Sequence, residues 1–292
     1  MDLLSLWQEK QATGKVRFDT DLLVVKKASG ESDYNWGAVF YSQAREDYKI
    51  KIKQTERSTT FDLELMSNLK IAEFGSLIIA ANPNSLFEGH LVIYPEQKSP
   101  QLKFQDIYDL TRLAEAHPEQ TFIHNMERSA ASITDWAHYQ SYPLIFPVEY
   151  EKTVEIAKFA DAKISRIGNE FPAYAIVAEN LEMESSANWL IKILEFLSEN
   201  NNPHGQKIPC NFIWREKRVW IIPRALNQSN LAASYFGGLE MGGIFCLPNA
   251  DSFRQYLPDV LRKEITQATL ACELETQKWF ESNALEKLCE IL

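Results

Sequence analysis

Residues 125 to 140 read Asn125-Met126-Glu127-Arg128-Ser129-Ala130-Ala131-Ser132-Ile133-Thr134-Asp135-Trp136-Ala137-His138-Tyr139-Gln140. Small and hydroxyl side chains lead into an alternating stretch. If extended, its period of two sets Ile133, Asp135, Ala137 and Tyr139 on one side and Thr134, Trp136, His138 and Gln140 on the other. One imidazole and one amide then share a face. The small residues let a ligand approach the backbone, and serine hydroxyls with main-chain N–H groups bind phosphate oxygens without bringing formal charge. An imidazole just beyond is a competent nucleophile, and its ordinary pKa of ~6.5 leaves it largely neutral near pH 7.

Outward from this segment the chain reads as strands and helices in two successive groups. Toward the N-terminus, Ser76–Ala81 and His90–Tyr94 are strands joined through Asn82-Pro83-Asn84-Ser85 and Gly89. Ile107, Leu110, Leu113 and Ala114 recur at three and four, which predicts an amphipathic helix from Phe104 to Ala116 that stops before His117-Pro118. Thr121–His124 is a strand. Residues 15 to 62 alternate in short runs, the clearest being Lys49-Ile50-Lys51-Ile52-Lys53, expected as a solvated edge strand. The proline-bearing stretch Tyr142-Pro143-Leu144-Ile145-Phe146-Pro147 predicts a boundary between halves 1–147 and 148–292. Beyond it a strand near Ala173–Ala178, a helix near Ser186–Glu199, strands at Cys210–Trp214, Val219–Ile222 and Gly243–Leu247, and a mostly helical end from Asp251 partly repeat the order.

Composition limits the function. The formal net charge of −10 disfavours a long nucleic-acid polyanion as partner, while a small anion held by local groups remains compatible. An acidic residue follows Met1, and no segment approaches the ~18 apolar residues of a membrane span, so a cytoplasmic protein without a membrane partner is expected. Cys210, Cys246, Cys272 and Cys289 form no CxxC pair, and no metal site or cofactor is expected.

The segment 125–140 resembles the HIT-like (histidine triad) superfamily, in the nucleotidyl-transfer branch that carries glutamine in place of the third histidine. Ala130-Ala131-Ser132 stands in that motif's Gly-Ala-Ser position, Asp135 in its aspartate position, His138 in the place of the second histidine and Gln140 in the place of the glutamine. Asn82-Pro83-Asn84-Ser85-Leu86-Phe87-Glu88-Gly89-His90 resembles the strand pair of the GDP-hexose phosphorylases in the same branch. Asn211–Trp214, Trp220–Arg224 and the glycine-bearing run Gly237–Gly243 resemble later elements. The likeness spans roughly residues 75 to 265 and extends more distantly to galactose-1-phosphate uridylyltransferases and dinucleoside tetraphosphate phosphorylases. It implies an α+β fold of two HIT-like halves, antiparallel sheets with packed helices, fused as an intramolecular pseudo-dimer.

The same resemblance implies a double displacement on a nucleoside diphosphate sugar or dinucleoside polyphosphate, with His138 as nucleophile and inorganic phosphate as acceptor. Gln140 would hold a phosphate oxygen, Ser129 and Ser132 would line the phosphate pocket, Asn82 would lie near the ribose, and Arg224 would meet the leaving phosphate. Trp136 occupies the place of the first histidine, Ala130 that of a glycine and Met126 that of the glycine after the motif asparagine. Trp136 is available to stack on a base. These departures motivate two alternatives, a nucleotide-binding protein without catalysis and a nucleotide hydrolase. His90 is expected to hold the strand junction, and His117, His124 and His204 to be ordinary residues.

Overall fold

The computed structural model describes residues 1–16, 23–29, 35–42, 61–127, 129–131, 133–225, 236–246, 251, 258–269 and 274–291. The expected strand Lys49–Lys53 and the candidate Ser132 lie outside them. Ten strands form one antiparallel sheet: β3 (Lys70–Phe74), β4 (Leu77–Ala81), β5 (Leu91–Pro95), β6 (Thr121–Asn125), β7 (Tyr139–Tyr142), β8 (Thr153–Phe159), β9 (Ala162–Ile167), β10 (Ile176–Glu179), β11 (Cys210–Arg215) and β12 (Arg218–Pro223). Their spatial order is β3-β4-β5-β7-β6-β11-β12-β10-β9-β8.

Read inward from either edge, this order has one connectivity. Each half runs as three consecutive strands, then a helix, then two strands of which the earlier lies innermost. The helices are α3 (Phe104–Ala116) and α4 (Met183–Glu199), and the two innermost strands, β6 and β11, meet at the centre. Asn125 pairs with Asn211, His124 with Phe212, Ile123 with Ile213 and Phe122 with Trp214 across that seam. A second sheet ties the halves again, because β2 (Asn35–Ser42) pairs with β1 (Leu23–Ser29) on one side and in parallel with β13 (Ile244–Cys246) on the other. The fold is therefore α+β, with the strand-and-helix order used twice.

Period-two alternation divides the residues of the large sheet between two layers. Phe122, Tyr139, Phe212, Trp214 and Ile221 join the cluster that includes Ile107, Leu110 and Leu113 of α3 and Trp189, Leu190 and Ile193 of α4. Those helical residues recur at three and four, which builds the apolar stripes that cover this face. Asp106 accepts the Lys103 backbone N–H at 3.0 Å and so satisfies one free donor at the start of α3. The helix ends at Ala116, since the residue before Pro118 resists the helical region. On the opposite face Ile123, Tyr142, Ile213, Trp220 and Ile222 pack with Leu239 and Met241 of α5 (Gly238–Met241), and with Leu261 and Ile265 of α6 (Pro258–Ala268). Pro258 opens α6, where its missing N–H costs nothing.

Three α-helices, α1 (Leu3–Ala12), α2 (Leu63–Leu69) and α7 (Leu274–Cys289), and a 3-10 helix at Pro147–Tyr150 complete the described elements. Trp189 Nε1 donates to the Ala284 carbonyl at 2.8 Å and locks α7 onto α4. Among the described residues no helix is long and apolar enough to cross a membrane.

Candidate functional site

The alternating segment is extended over less of its length than its pattern implies. Strand β7 begins at Tyr139, and residues 129–138 run as turns and loop, among the described ones, with Ala130 at φ 69°. The reason lies in successive anchors that pull residues 135 to 137 off the strand path. Asp135 Oδ1 accepts the Phe61 N–H at 3.2 Å and its Oδ2 takes Lys98 Nζ at 2.5 Å. Trp136 Nε1 donates to the Pro95 carbonyl at 3.1 Å, and the Ala137 N–H to the Ser99 carbonyl at 2.6 Å. His138 is delivered to the head of β7 by these ties.

The half-buried His138 ring donates from Nδ1 to the Trp136 carbonyl at 3.1 Å. That bond places the proton on Nδ1 and leaves Nε2 with its lone pair. Burial lowers the imidazole's pKa below its usual value, only partly offset by the Trp136 carbonyl and the Asp135 carboxylate. The neutral, nucleophilic form is thus the resting one near pH 7.

Gln140 is oriented by a buried hub. The Leu86 backbone N–H donates to His90 Nδ1 at 3.1 Å, so the His90 proton resides on Nε2. That Nε2–H faces Gln140 Oε1 at 3.1 Å, and Tyr142 Oη donates to the same oxygen at 2.6 Å. With Oε1 engaged by two donors, the Gln140 NH2 group is the part of the amide left to donate. Tyr142 also stacks on His90 with centroids 4.3 Å apart. Asn82 joins the hub through its backbone N–H, which donates to the His90 carbonyl at 3.0 Å, while its Oδ1 accepts the Asn84 N–H at 2.8 Å and so turns its carboxamide nitrogen toward the protonated His90 Nε2 without a hydrogen bond between them. Through His90, therefore, Asn82 and Gln140 are brought together, and the expectation that His90 holds the strand junction describes what it does.

Three other expected contacts are turned inward. Ser129 is fully buried, with Oγ 2.7 Å from the Met126 carbonyl and 2.8 Å from that of Cys210, so it closes the loop instead of lining a phosphate pocket. Trp136 is 5% exposed and packs on Phe61 and Tyr94, which corrects its expected place as a stacking platform. Arg224 is 1% exposed and donates to the Ala268 and Phe236 carbonyls and to Asn211 Oδ1, at 3.0, 2.5 and 2.9 Å. Burial lowers its pKa to about 10, and its guanidinium braces the interior rather than meeting a leaving phosphate.

Two contributions escaped sequence reasoning. Asn125 Oδ1 accepts from both Asn211 Nδ2 and the Gly238 N–H at 2.7 Å, which seats the start of α5 on the seam. A Cβ on Gly238 would stand 3.1 Å from Ile123 Cβ and 3.2 Å from Asn125 Oδ1, so the close approach selects glycine. The second is His124, whose Nδ1 lies 2.9 Å from the His138 carbonyl. Burial lowers its pKa to about 4 and keeps the ring neutral. On the same sheet face Trp220 and Ile222 of the second half are apolar and buried. Among the described residues no three His, Cys, Asp or Glu side chains gather where a metal ion would be held.

The fold is shared with yeast Ap4A phosphorylase Apa2, at a TM-score of 0.66 and 11% sequence identity over 92% of this chain and 94% of that one. The same enzyme solved in complex with Ap4A gives 0.65 and 11% over 92% and 97%, and in complex with AMP 0.62 and 11% over 91% and 95%. A family model described as a domain of unknown function, DUF4922, matches residues 23–143. A sequence search of curated proteins returns no match.

Proposed function

We propose that this chain is a nucleotidyltransferase or phosphorylase that acts on a nucleoside diphosphate sugar or dinucleoside polyphosphate through a nucleotidyl-histidine. The observation that carries the reading is the His138 ring, tied through Nδ1 to the Trp136 carbonyl so that a neutral Nε2 lone pair remains. The fold shared with an Ap4A phosphorylase supports it. His138 Nε2 attacks the α-phosphorus, the bond to the leaving phosphate oxygen breaks, and that oxygen departs with the electron pair. Inorganic phosphate then attacks the same phosphorus, the P–N bond breaks, and the imidazole is regenerated as nucleoside diphosphate leaves. Gln140 donates to a non-bridging oxygen whose charge grows in the transition state. Asn82, held in the same hub, faces the nucleoside end, and Ser132, outside the described residues, is proposed as a further phosphate contact from the motif alone.

The test is a panel of GDP-, UDP- and ADP-sugars and Ap4A, each with and without phosphate. Phosphate-dependent release of nucleoside diphosphate is expected, with an acid-labile nucleotidyl adduct on intact mass that His138→Asn abolishes. Because the reacting imidazole must be neutral and burial lowers its pKa, the loss of adduct formation on acidification has its midpoint below that of an ordinary imidazole. Nucleotide binding without adduct would instead establish the second reading, which Trp136 in place of an imidazole motivates. Release that ignores phosphate would establish hydrolysis.

A further inference from the structure

We infer that His124 is a positioning residue for His138, acting through the His138 main chain. This rests on the proposed role of His138 as nucleophile. The β6–β7 ladder ends at the His124–Tyr139 pair, and His138 is the first residue beyond it. At such an end the carbonyl leaves the ladder, and here the side chain of the last paired residue on the neighbouring strand takes it, with His124 Nδ1 at 2.9 Å. The ring is held in turn by Tyr139 and Phe212, whose centroids lie 5.6 and 6.1 Å away. His124 is neutral and buried, so its single N–H is on Nδ1 and points at that carbonyl.

The consequence is a two-point hold on one residue. His124 fixes the His138 carbonyl, while the Trp136 carbonyl fixes the His138 ring through Nδ1. Neither bond uses Nε2. Without His124 the His138 carbonyl loses its partner, the peptide after His138 is held only from its Tyr139 side, and the ring's distance to a bound phosphorus is set less tightly by the sheet. Small displacements of a reacting atom carry large rate penalties while leaving ground-state binding nearly intact.

The experiment compares His124→Asn with His124→Leu. The asparagine amide nitrogen superposes on the imidazole Nδ1 and keeps a donor, whereas leucine keeps only the volume. In the ligand-free protein, side-chain 15N spectra of His138 should show one tautomer with unprotonated Nε2 in wild type and His124→Asn, and averaging of the two ring nitrogens in His124→Leu. With substrate, His124→Leu should lose about 10- to 100-fold in kcat with KM within about twofold, and His124→Asn should recover most of it. A through-bond coupling between His124 Nδ1 and the His138 carbonyl carbon is expected in wild type and needs no variant to fold. Absence of that coupling, or an unchanged His138 tautomer in folded His124→Leu, would overturn the inference. If wild type shows the coupling and tautomer but forms no nucleotidyl adduct, the proposed function fails and the two-point hold stands.

Discussion

Gln140 illustrates how a single side chain acquires a defined chemical sense. An isolated amide offers an oxygen or an NH2 group with equal ease, but His90 and Tyr142 both donate to Oε1 and so leave the NH2 as the group that can donate further. Replacing Gln140 with glutamate keeps an acceptor for both internal donors and removes the external one. Gln140→Glu should therefore melt within a few degrees of wild type, yet bind a nucleotide at least about tenfold more weakly, as loss of a hydrogen bond to a charged group implies. Paired melting and calorimetric titration with AMP check this. Unchanged affinity would mean that the oxygen, not the NH2, faces the ligand.

At the scale of elements, strongly periodic segments announced themselves and irregular ones did not. The stripe Ile107, Leu110, Leu113, Ala114 predicted α3 to the residue, because its burial period and its Pro118 stop are both local features. The hairpin of β8 and β9 left no turn signal, since its turn uses Ala160 at φ 50° where Gly or Asn would have marked it. The segment before β7 alternates as a strand would and yet is irregular for a non-local reason: the anchors on Asp135, Trp136 and Ala137 come from Phe61, Lys98, Pro95 and Ser99, far away in sequence. The motif residues His138 and Gln140 could be singled out from the sequence, whereas the burial of Ser129, Trp136 and Arg224 depends on what the sheet places around them. Ala130 carries a further consequence. It adopts φ 69° in a position that the resembling motif fills with glycine, and an L residue there is strained by about 1 kcal/mol. Ala130→Gly should then stabilise the protein by about 0.5–1 kcal/mol in urea titration, the relief of strain exceeding glycine's entropic cost. A loss of stability would show that the turn tolerates alanine without strain.

The whole molecule is two topological copies fused into one sheet, and the fusion is polar at its centre. Asn125 from the first copy and Asn211 from the second face each other across β6 and β11, and around them gather Ser129, Arg224 and Gly238. A cut of the chain at 147/148 crosses a continuous hydrogen-bonded ladder, and β2 with β13 crosses it again. Burying these groups is favourable only while each finds its partner, because a buried donor or acceptor left alone costs about 1–3 kcal/mol. Asn211→Leu removes the donor to Asn125 Oδ1 and to the Ser129 carbonyl and one acceptor of Arg224. It should cost about 3 kcal/mol or more, and the cost should be felt on both sides of the seam. Hydrogen exchange read at Ile79 and Ile93 in the first copy and at Ile164 and Val177 in the second measures this directly, all four being buried strand positions. If the copies are one cooperative unit, protection at all four falls by the same free energy. If exchange accelerates in the second copy alone, the seam joins two units that unfold separately, and the His138 site would then depend on the first copy's stability and not on the fused sheet.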